Sequence, residues 1–314
     1  MARPLSIAGA QLGPIGRDEP RRRVVQRLIA LMREAKSRGA ELVVFPELAL
    51  TTFFPRWHIA DAAELDSFYE TEMPSAETAP LFEEAGRLGI AFHLGYAELT
   101  VEDGREQRFN TAILVDRNGT IIGKYRKVHL PGHKELDPAR AFQHLEKRYF
   151  EPGNLGFRTW DALGGIVGIL ICNDRRWPEA FRVLGLQGVE LVLIGYNTPA
   201  VNGQVFEPPH LRAFHNHLTM QAGAYQNGSW VVGVAKAGHE GGVDMMGGSA
   251  IISPNGEILA QAATLEDELI FAVCDLDAGT YIKKNIFNFA AHRRPEHYRL
   301  IVDTVGALRG PNAG

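Results

Sequence analysis

Three residues stand just past strand-like runs and carry complementary chemistry: Glu47 after Leu42–Phe45, Lys127 after Thr120–Tyr125, and Cys172 after Ile166–Ile171. A cysteine supplies a nucleophile, and a carboxylate can take its proton and later pass it to a leaving group. An ammonium group can stabilise the oxyanion formed when a thiolate adds to a carbonyl. Taken singly, each residue equally suits a plain structural use. Cysteine is a good small core hydrophobe, a strand-end glutamate is commonly solvated or ion-paired, and a lysine among basic neighbours is commonly at the surface. Spacing alone does not bring the three together.

The runs that would position them read as strands. Ile166–Ile171 is wholly apolar and rich in Ile and Val, the pattern of a strand buried on both faces. Pro178 suits the first turn of a helix over about 178–187. Cys172 thus falls at a strand-to-helix junction, where open α/β sheets receive ligands. A helix N-terminus nearby predicts a lowered thiol pKa. Upstream, a strand over about 5–11 leads to a helix opened by Asp18 and Pro20. Its apolar positions Val24, Val25, Leu28, Ile29, Met32 and Ala35 define one buried face, and Gly39 ends it. Glu47 then closes a β-α-β unit. A helix over 78–88 and strands over 90–98, 109–116 and 120–125 follow, with Asn118-Gly119 marking a hairpin. Further strands are expected over 190–194, 230–236, 248–253, 257–260 and 269–276, with a helix over 210–227 and a hairpin at Asn255-Gly256.

Residues 51–75 form a long loop rich in aromatics, among them Phe53, Phe54, Trp57, Phe68 and Tyr69. Loops of that length usually serve function or cover something. The segment after Ile286 shows no helical pattern and is expected to pack on this subunit or a neighbour, with 307–314 frayed. Helices alternating with strands, without linker-like composition, argue for one domain of stacked layers across 1–314, extended from about residue 286.

Composition excludes several classes. The chain has 314 residues, 45% hydrophobic and 22% charged, with a formal net charge of −4, which gives no reason to expect a nucleic-acid partner. No apolar run approaches a membrane span, and no signal-peptide pattern precedes the first strand. Two cysteines, Cys172 and Cys274, exclude a disulfide framework and suit a reducing cytoplasm. Cys274 lies in an alternating strand and reads as core. No histidine pair has convincing metal-ligand spacing. Gly238–Gly248 is glycine-rich but lacks the lysine pattern of a phosphate loop.

Three motifs, Val44-Phe45-Pro46-Glu47, Lys124-Tyr125-Arg126-Lys127-Val128-His129-Leu130 and Gly168-Ile169-Leu170-Ile171-Cys172-Asn173-Asp174, resemble in order and separation those of the nitrilase (carbon–nitrogen hydrolase) superfamily. The resemblance runs over roughly 5–300. Longer blocks at 45–57, 124–134, 142–153 and 172–180 resemble the branch that acts on N-carbamoyl-D-amino acids. The resemblance implies an α/β fold built as a four-layer α-β-β-α sandwich, no cofactor, and a homodimer or homotetramer. It makes Cys172 the nucleophile, Glu47 the general base and acid, Lys127 the oxyanion stabiliser and Glu146 a second positioning glutamate, with the Asn173 N–H completing the oxyanion hole. A substrate with a ureido group and a carboxylate would suit Arg175 or Arg176, because guanidinium forks pair bidentately with carboxylates. Asn197 and Thr198, past a neighbouring strand, are further candidates for the carboxylate. His129 and His144 match positions tied to substrate binding or site integrity, and His215 suits either that or a structural hydrogen bond. Other amidases of the superfamily, β-ureidopropionase-like or aliphatic, are the rival enzymatic reading. A silent scaffold subunit is the rival outside enzymology.

Overall fold

A computed structural model describes residues 2–140, 142–201 and 207–307. The first half runs β1 (Pro4–Gln11), α1 (Arg21–Ser37), β2 (Leu42–Val44), α2 (Ala62–Asp66), β3 (Tyr69–Glu70), α3 (Ala79–Leu88), β4 (Ala91–Glu102), β5 (Arg105–Val115) and β6 (Ile121–Arg126). After the short α4 (Glu146–Tyr149) come β7 (Thr159–Ala162), β8 (Gly165–Ile171), α5 (Pro178–Leu186), β9 (Leu191–Tyr196), α6 (Pro209–Asn227) and β10 (Trp230–Ala235). The chain continues through β11 (Ala237–Glu240), β12 (Val243–Met246), β13 (Ala250–Ile252), β14 (Ile258–Gln261) and β15 (Glu268–Asp275).

Two mixed sheets result. One is ordered β15-β1-β2-β4-β5-β6 with β3 beside β4, and the other β14-β13-β10-β9-β8-β7. In each, three neighbouring strands run parallel (β1, β2, β4 and β8, β9, β10) and antiparallel strands flank them. Side-chain alternation explains the layering. Leu5 and Ile7 of β1, Leu42 and Val44 of β2, and Ala112 and Leu114 of β5 join the core between the sheets. Ala8 and Ala10, Val43, and Ile113 and Val115 pack instead with the apolar stripes of α1 and α3. On the second sheet, Phe181 and Leu184 of α5 and Met220 and Ala224 of α6 cover the other side. The outcome is a four-layer α-β-β-α sandwich, as the resemblance implies.

Several strands exceed their expected bounds. β4 and β5 extend to a two-residue turn at Asp103-Gly104, where both residues have positive φ (50° and 74°), a mirror-image turn that suits a hairpin. A similar Leu163-Gly164 turn pairs β7 with β8. The Asn118-Gly119 and Asn255-Gly256 hairpins form where expected, closed by Asp116 N–H to Thr120 O and Ser253 N–H to Glu257 O. Part of the glycine-rich 238–248 segment forms the β11–β12 hairpin. Residues after 286, expected to be irregular, include two short helices, α7 (Phe289–His292) and α8 (Arg299–Asp303). One turn is too short to show a 3.6-residue period. The expected fraying of 307–314 falls, beyond residue 307, outside the described residues. Cys274 is buried in the core on β15. Among the described residues, no helix is long and apolar enough to cross a membrane.

Candidate active site

Glu47, Lys127 and Cys172 meet between the carboxyl ends of β2, β6 and β8. Glu47 and Lys127 are wholly buried, and Cys172 is 6% exposed. The backbone at Glu47 is pinned between the sheets. A Cβ on Gly195 of β9 would lie 2.4 Å from Glu47 N, and one on Gly95 of β4 would lie 2.7 Å from Glu47 Cα. Only hydrogen fits at either position, so the two glycines let Pro46-Glu47 pass between strands. Lys127 leaves β6 with its N–H on Asn110 O and its carbonyl receiving Gly153 N–H.

The Lys127 Nζ donates to Glu47 Oε1 at 2.7 Å and to Glu146 Oε2 at 2.5 Å. Asn110 Nδ2 also donates to Glu47 Oε1 (2.7 Å). Asn197 joins base and thiol: its N–H donates to Glu47 Oε2 at 2.8 Å, and its carbonyl accepts from Cys172 Sγ at 3.5 Å. Cys172 itself has φ of +46°, a left-handed conformation uncommon for a side chain with a Cβ. Such strain collects at functional positions.

Charge separates the two glutamates. Burial pushes the Glu47 pKa above the ordinary glutamate value, and Lys127 offsets this only in part. Glu146 bears the same burial, but Lys127 and His144 outweigh it and hold the pKa low. Two carboxylates on one ammonium with pKa values pushed apart is the pattern of one proton carrier and one fixed counter-charge. Burial alone would lower the Lys127 pKa, yet Cys172, Glu146 and Glu47 together raise it, so the ammonium stays charged. The Cys172 thiol is raised by burial and by Glu47, with Lys127 and Arg175 opposing. The lowered pKa expected from a helix N-terminus is therefore corrected. A 3₁₀ turn, Cys172–Arg176, separates the sulfur from α5, and burial beside a carboxylate decides the sign.

That turn is fixed by Asp174, which sequence reasoning left without a role. Its carboxylate accepts from Ile171 N–H, from Tyr125 OH (2.7 Å), and from His129 through both N–H (2.9 Å) and Nδ1 (2.8 Å). His129 stacks on Trp177 with centroids 4.9 Å apart, and its carbonyl accepts from Asn173 Nδ2. His144 Nε2 lies 3.1 Å from Glu146 Oε1. His215 Nδ1 lies 2.5 Å from Glu207.

The two adjacent arginines part company. Arg175 is buried, stacks over Tyr196, and donates to Asn216 Oδ1 (2.9 and 2.7 Å), Cys172 O (2.6 Å) and Thr198 Oγ1 (2.9 Å). Arg176 has no hydrogen-bond partner among the described residues, while burial and Arg175 pull its pKa down to about 10. The Asn197 side chain donates to Glu47 O, and the Thr198 hydroxyl holds Arg175. Both were expected to reach a carboxylate; here Asn197 Nδ2 and Thr198 Oγ1 each have a framework partner, while Asn197 Oδ1 is buried without one. Asn110, Asp174 and Asn216 are the residues that sequence reasoning missed. Only Asp174, inside the cysteine motif, left a signal that could have found it.

The aromatic loop supports the site, and Phe53 meets the His144 ring edge-on. Phe53, Phe54, Phe68 and Tyr69 cluster with Leu145, Tyr149 and Phe150, the flanks and end of α4, which carries Glu146. Backbone bonds from Gln143 N–H to Arg56 O and from Leu145 N–H to Pro55 O join the two loops. A cavity of about 570 Å³, lined in part by His129, Leu130, Tyr149, Asn173 and Trp177, opens beside the cysteine turn.

The sandwich, with a cysteine, two glutamates and a lysine gathered at its strand ends, defines a cysteine-containing hydrolase scaffold. Residues 6–284 match the carbon-nitrogen hydrolase family, and the chain belongs to that family. A nitrilase of Pyrococcus abyssi is 32% identical over 276 residues, which cover 85% of this chain and 90% of that protein. N-carbamoylputrescine amidase of Arabidopsis thaliana is 28% identical over 88% of this chain and 89% of its own. The crystal structure of a carbon-nitrogen hydrolase from Helicobacter pylori superposes with a TM-score of 0.82 at 22% identity, covering 96% of this chain and 99% of that one, which shows the shared fold.

Proposed function

We propose that this carbon–nitrogen hydrolase acts on N-carbamoyl-D-amino acids, releasing ammonia, CO₂ and the D-amino acid. Arg176 carries the reading: a cation without a hydrogen-bond partner among the described residues stands within electrostatic reach of the Cys172 sulfur. A carboxylate next to the ureido group would pair with it. The similarity to an N-carbamoyl amidase supports the ureido part. The D configuration rests on the resemblance of the blocks at 45–57, 124–134, 142–153 and 172–180.

In this reading Glu47 takes the Cys172 proton as sulfur adds to the ureido carbonyl. Lys127 and the Asn173 N–H hold the oxyanion. Glu47 returns the proton to departing ammonia, leaving an S-acyl enzyme. Glu47 then deprotonates the attacking water, the thiol is regained, and the released N-carboxy amino acid loses CO₂. Glu146 keeps Lys127 charged and in place, while His144 and His129 brace Glu146 and the cysteine turn. Arg175 positions the turn and Arg176 holds the carboxylate. The chain is read as one catalytic unit, with an extension beyond the family match from about residue 286, working as a homo-oligomer in the cytoplasm.

The test is ammonia release from N-carbamoyl-D-phenylalanine, its L enantiomer and a simple aliphatic amide. Turnover of the D compound alone is expected. Replacing Arg176→Gln should raise its KM roughly ten- to hundredfold, the worth of about 1.5–3 kcal/mol for a charged hydrogen bond. Turnover of the simple amide but of neither N-carbamoyl compound would refute the reading.

A further inference from the structure

A second guanidinium near the cysteine turn is left underused. Arg212 lies in the first turns of α6, four residues before Asn216 and so on the same helical face. Asn216 holds Arg175 of the cysteine turn, which places Arg212 against that turn as well. The residue is only 6% exposed, yet its Nε and Nη1 are buried without a hydrogen-bond partner. Its one carboxylate neighbour among the described residues, Glu207, stands 3.9 Å from Nε and is drawn to His215 Nδ1 at 2.5 Å. Burying a cation with unmet donors is costly unless an anion completes the site.

The local charge points the same way. Among the described residues, Arg175 is bonded only to neutral acceptors, Arg176 has no bonded partner, and Arg212 has a single distant one. Each of the three is in electrostatic reach of Cys172. Burial lowers the pKa of Arg212 as it does that of Arg176, a sign that both cations lack adequate compensation. Among the described residues, Arg176 and Arg212 thus share the field of one carboxylate, Glu207, with the Arg175 guanidinium beside them. One α-carboxylate would leave the cluster still positive, whereas a substrate with two would neutralise it.

We infer that Arg212 is a specificity-determining residue that reads a second acidic group, so that among N-carbamoyl-D-amino acids this enzyme favours those of dicarboxylic amino acids. The inference rests on the substrate class proposed above. The deciding comparison is N-carbamoyl-D-glutamate against N-carbamoyl-D-glutamine, which match in size and differ in charge. Wild-type enzyme is expected to favour the glutamate compound at least tenfold in kcat/KM. Arg212→Gln should bring that ratio close to one, mainly through a raised KM for the diacid, and Arg212→Lys should restore part of it. Equal use of the two compounds by wild type overturns the inference whatever the variants do. So does an Arg212→Gln enzyme that loses both activities in parallel with the ratio kept, the mark of a purely structural residue. If wild type hydrolyses simple amides but neither carbamoyl compound, the substrate class itself fails and this inference falls with it.

Discussion

At the residue scale, Cys172 presents a thiol whose ionisation is opposed rather than favoured by its surroundings. Burial and the Glu47 carboxylate raise its pKa against the pull of Lys127 and Arg175. A free thiolate is therefore not the resting state near neutral pH, and the proton must leave through a base as the sulfur attacks. The sign gives a direct check. Removing the Glu47 charge removes one cause of the elevation, so in Glu47→Gln the thiolate should appear at lower pH than in wild type. Turnover should nevertheless fall by about 10²–10⁴-fold, because the proton carrier is gone. Thiolate absorbance followed against pH reads the first effect cleanly, since burial pushes Cys274, the other cysteine, up to about 12. An unchanged thiolate titration in Glu47→Gln would contradict the electrostatic account.

At the element scale, the site depends on how closely two sheets approach. Gly195 on β9 is one tight point, because an added Cβ would meet Glu47 N at 2.4 Å and Pro46 C at 2.6 Å. Those are backbone atoms that cannot rotate away. Gly195→Ala should destabilise the fold by about 1–3 kcal/mol, the usual cost of overpacking, and displace Glu47 enough to depress kcat. Thermal melting and kcat measured together check this. Wild-type values for both would show that the sheets part without consequence. This contact also marks the limit of what sequence shows. Strands over 42–45 and 166–171 were legible because their apolar runs are continuous, and that over 120–125 because Asn118-Gly119 marks its hairpin, so the strand ends pointed to Glu47, Lys127 and Cys172. The family resemblance then gave those three a reason to converge. Asn110 and Asn216 were not legible, since each is a lone polar residue whose role exists only through a partner distant in sequence. Arg175 and Arg176 looked interchangeable for a similar reason. Their separation depends on Asn216 and Thr198, which take up the donors of one and not the other. The helical turns after 286 escaped because one turn carries no period.

At the scale of the whole molecule, the outer face of the α5–α6 layer is unfinished. Leu211, Phe214, Leu218 and Tyr225 recur at helical spacing along α6 with 38%, 57%, 45% and 39% of their surfaces exposed. Val183 and Leu186 of α5 add two more apolar side chains, 38% and 47% exposed. A stripe at 3.6-residue spacing on a 19-residue helix is the pattern of a helix packed on both sides, but among the described residues only the inner side is fully covered. The tail covers part of the gap, since Phe287 meets the Tyr225 ring edge-on at 5.2 Å. Even so, the tail leaves its own Ile286, Ile301 and Val302 exposed. The homo-oligomer proposed above would use this face, with a second copy's α5–α6 layer as the occupant, because a self-complementary apolar stripe suits a two-fold contact. The stripe lies on the same helix as Arg212 and Asn216, so closing this face would also steady the element that braces the cysteine turn. Light scattering should then give a mass at least twice the 34.6 kDa of one chain. The double variant Phe214→Glu/Leu218→Glu should shift it to the monomer, with a lower melting temperature and a weaker kcat. A wild-type protein that is monomeric at all concentrations, or a double variant that keeps the oligomer, would rule this face out as the contact.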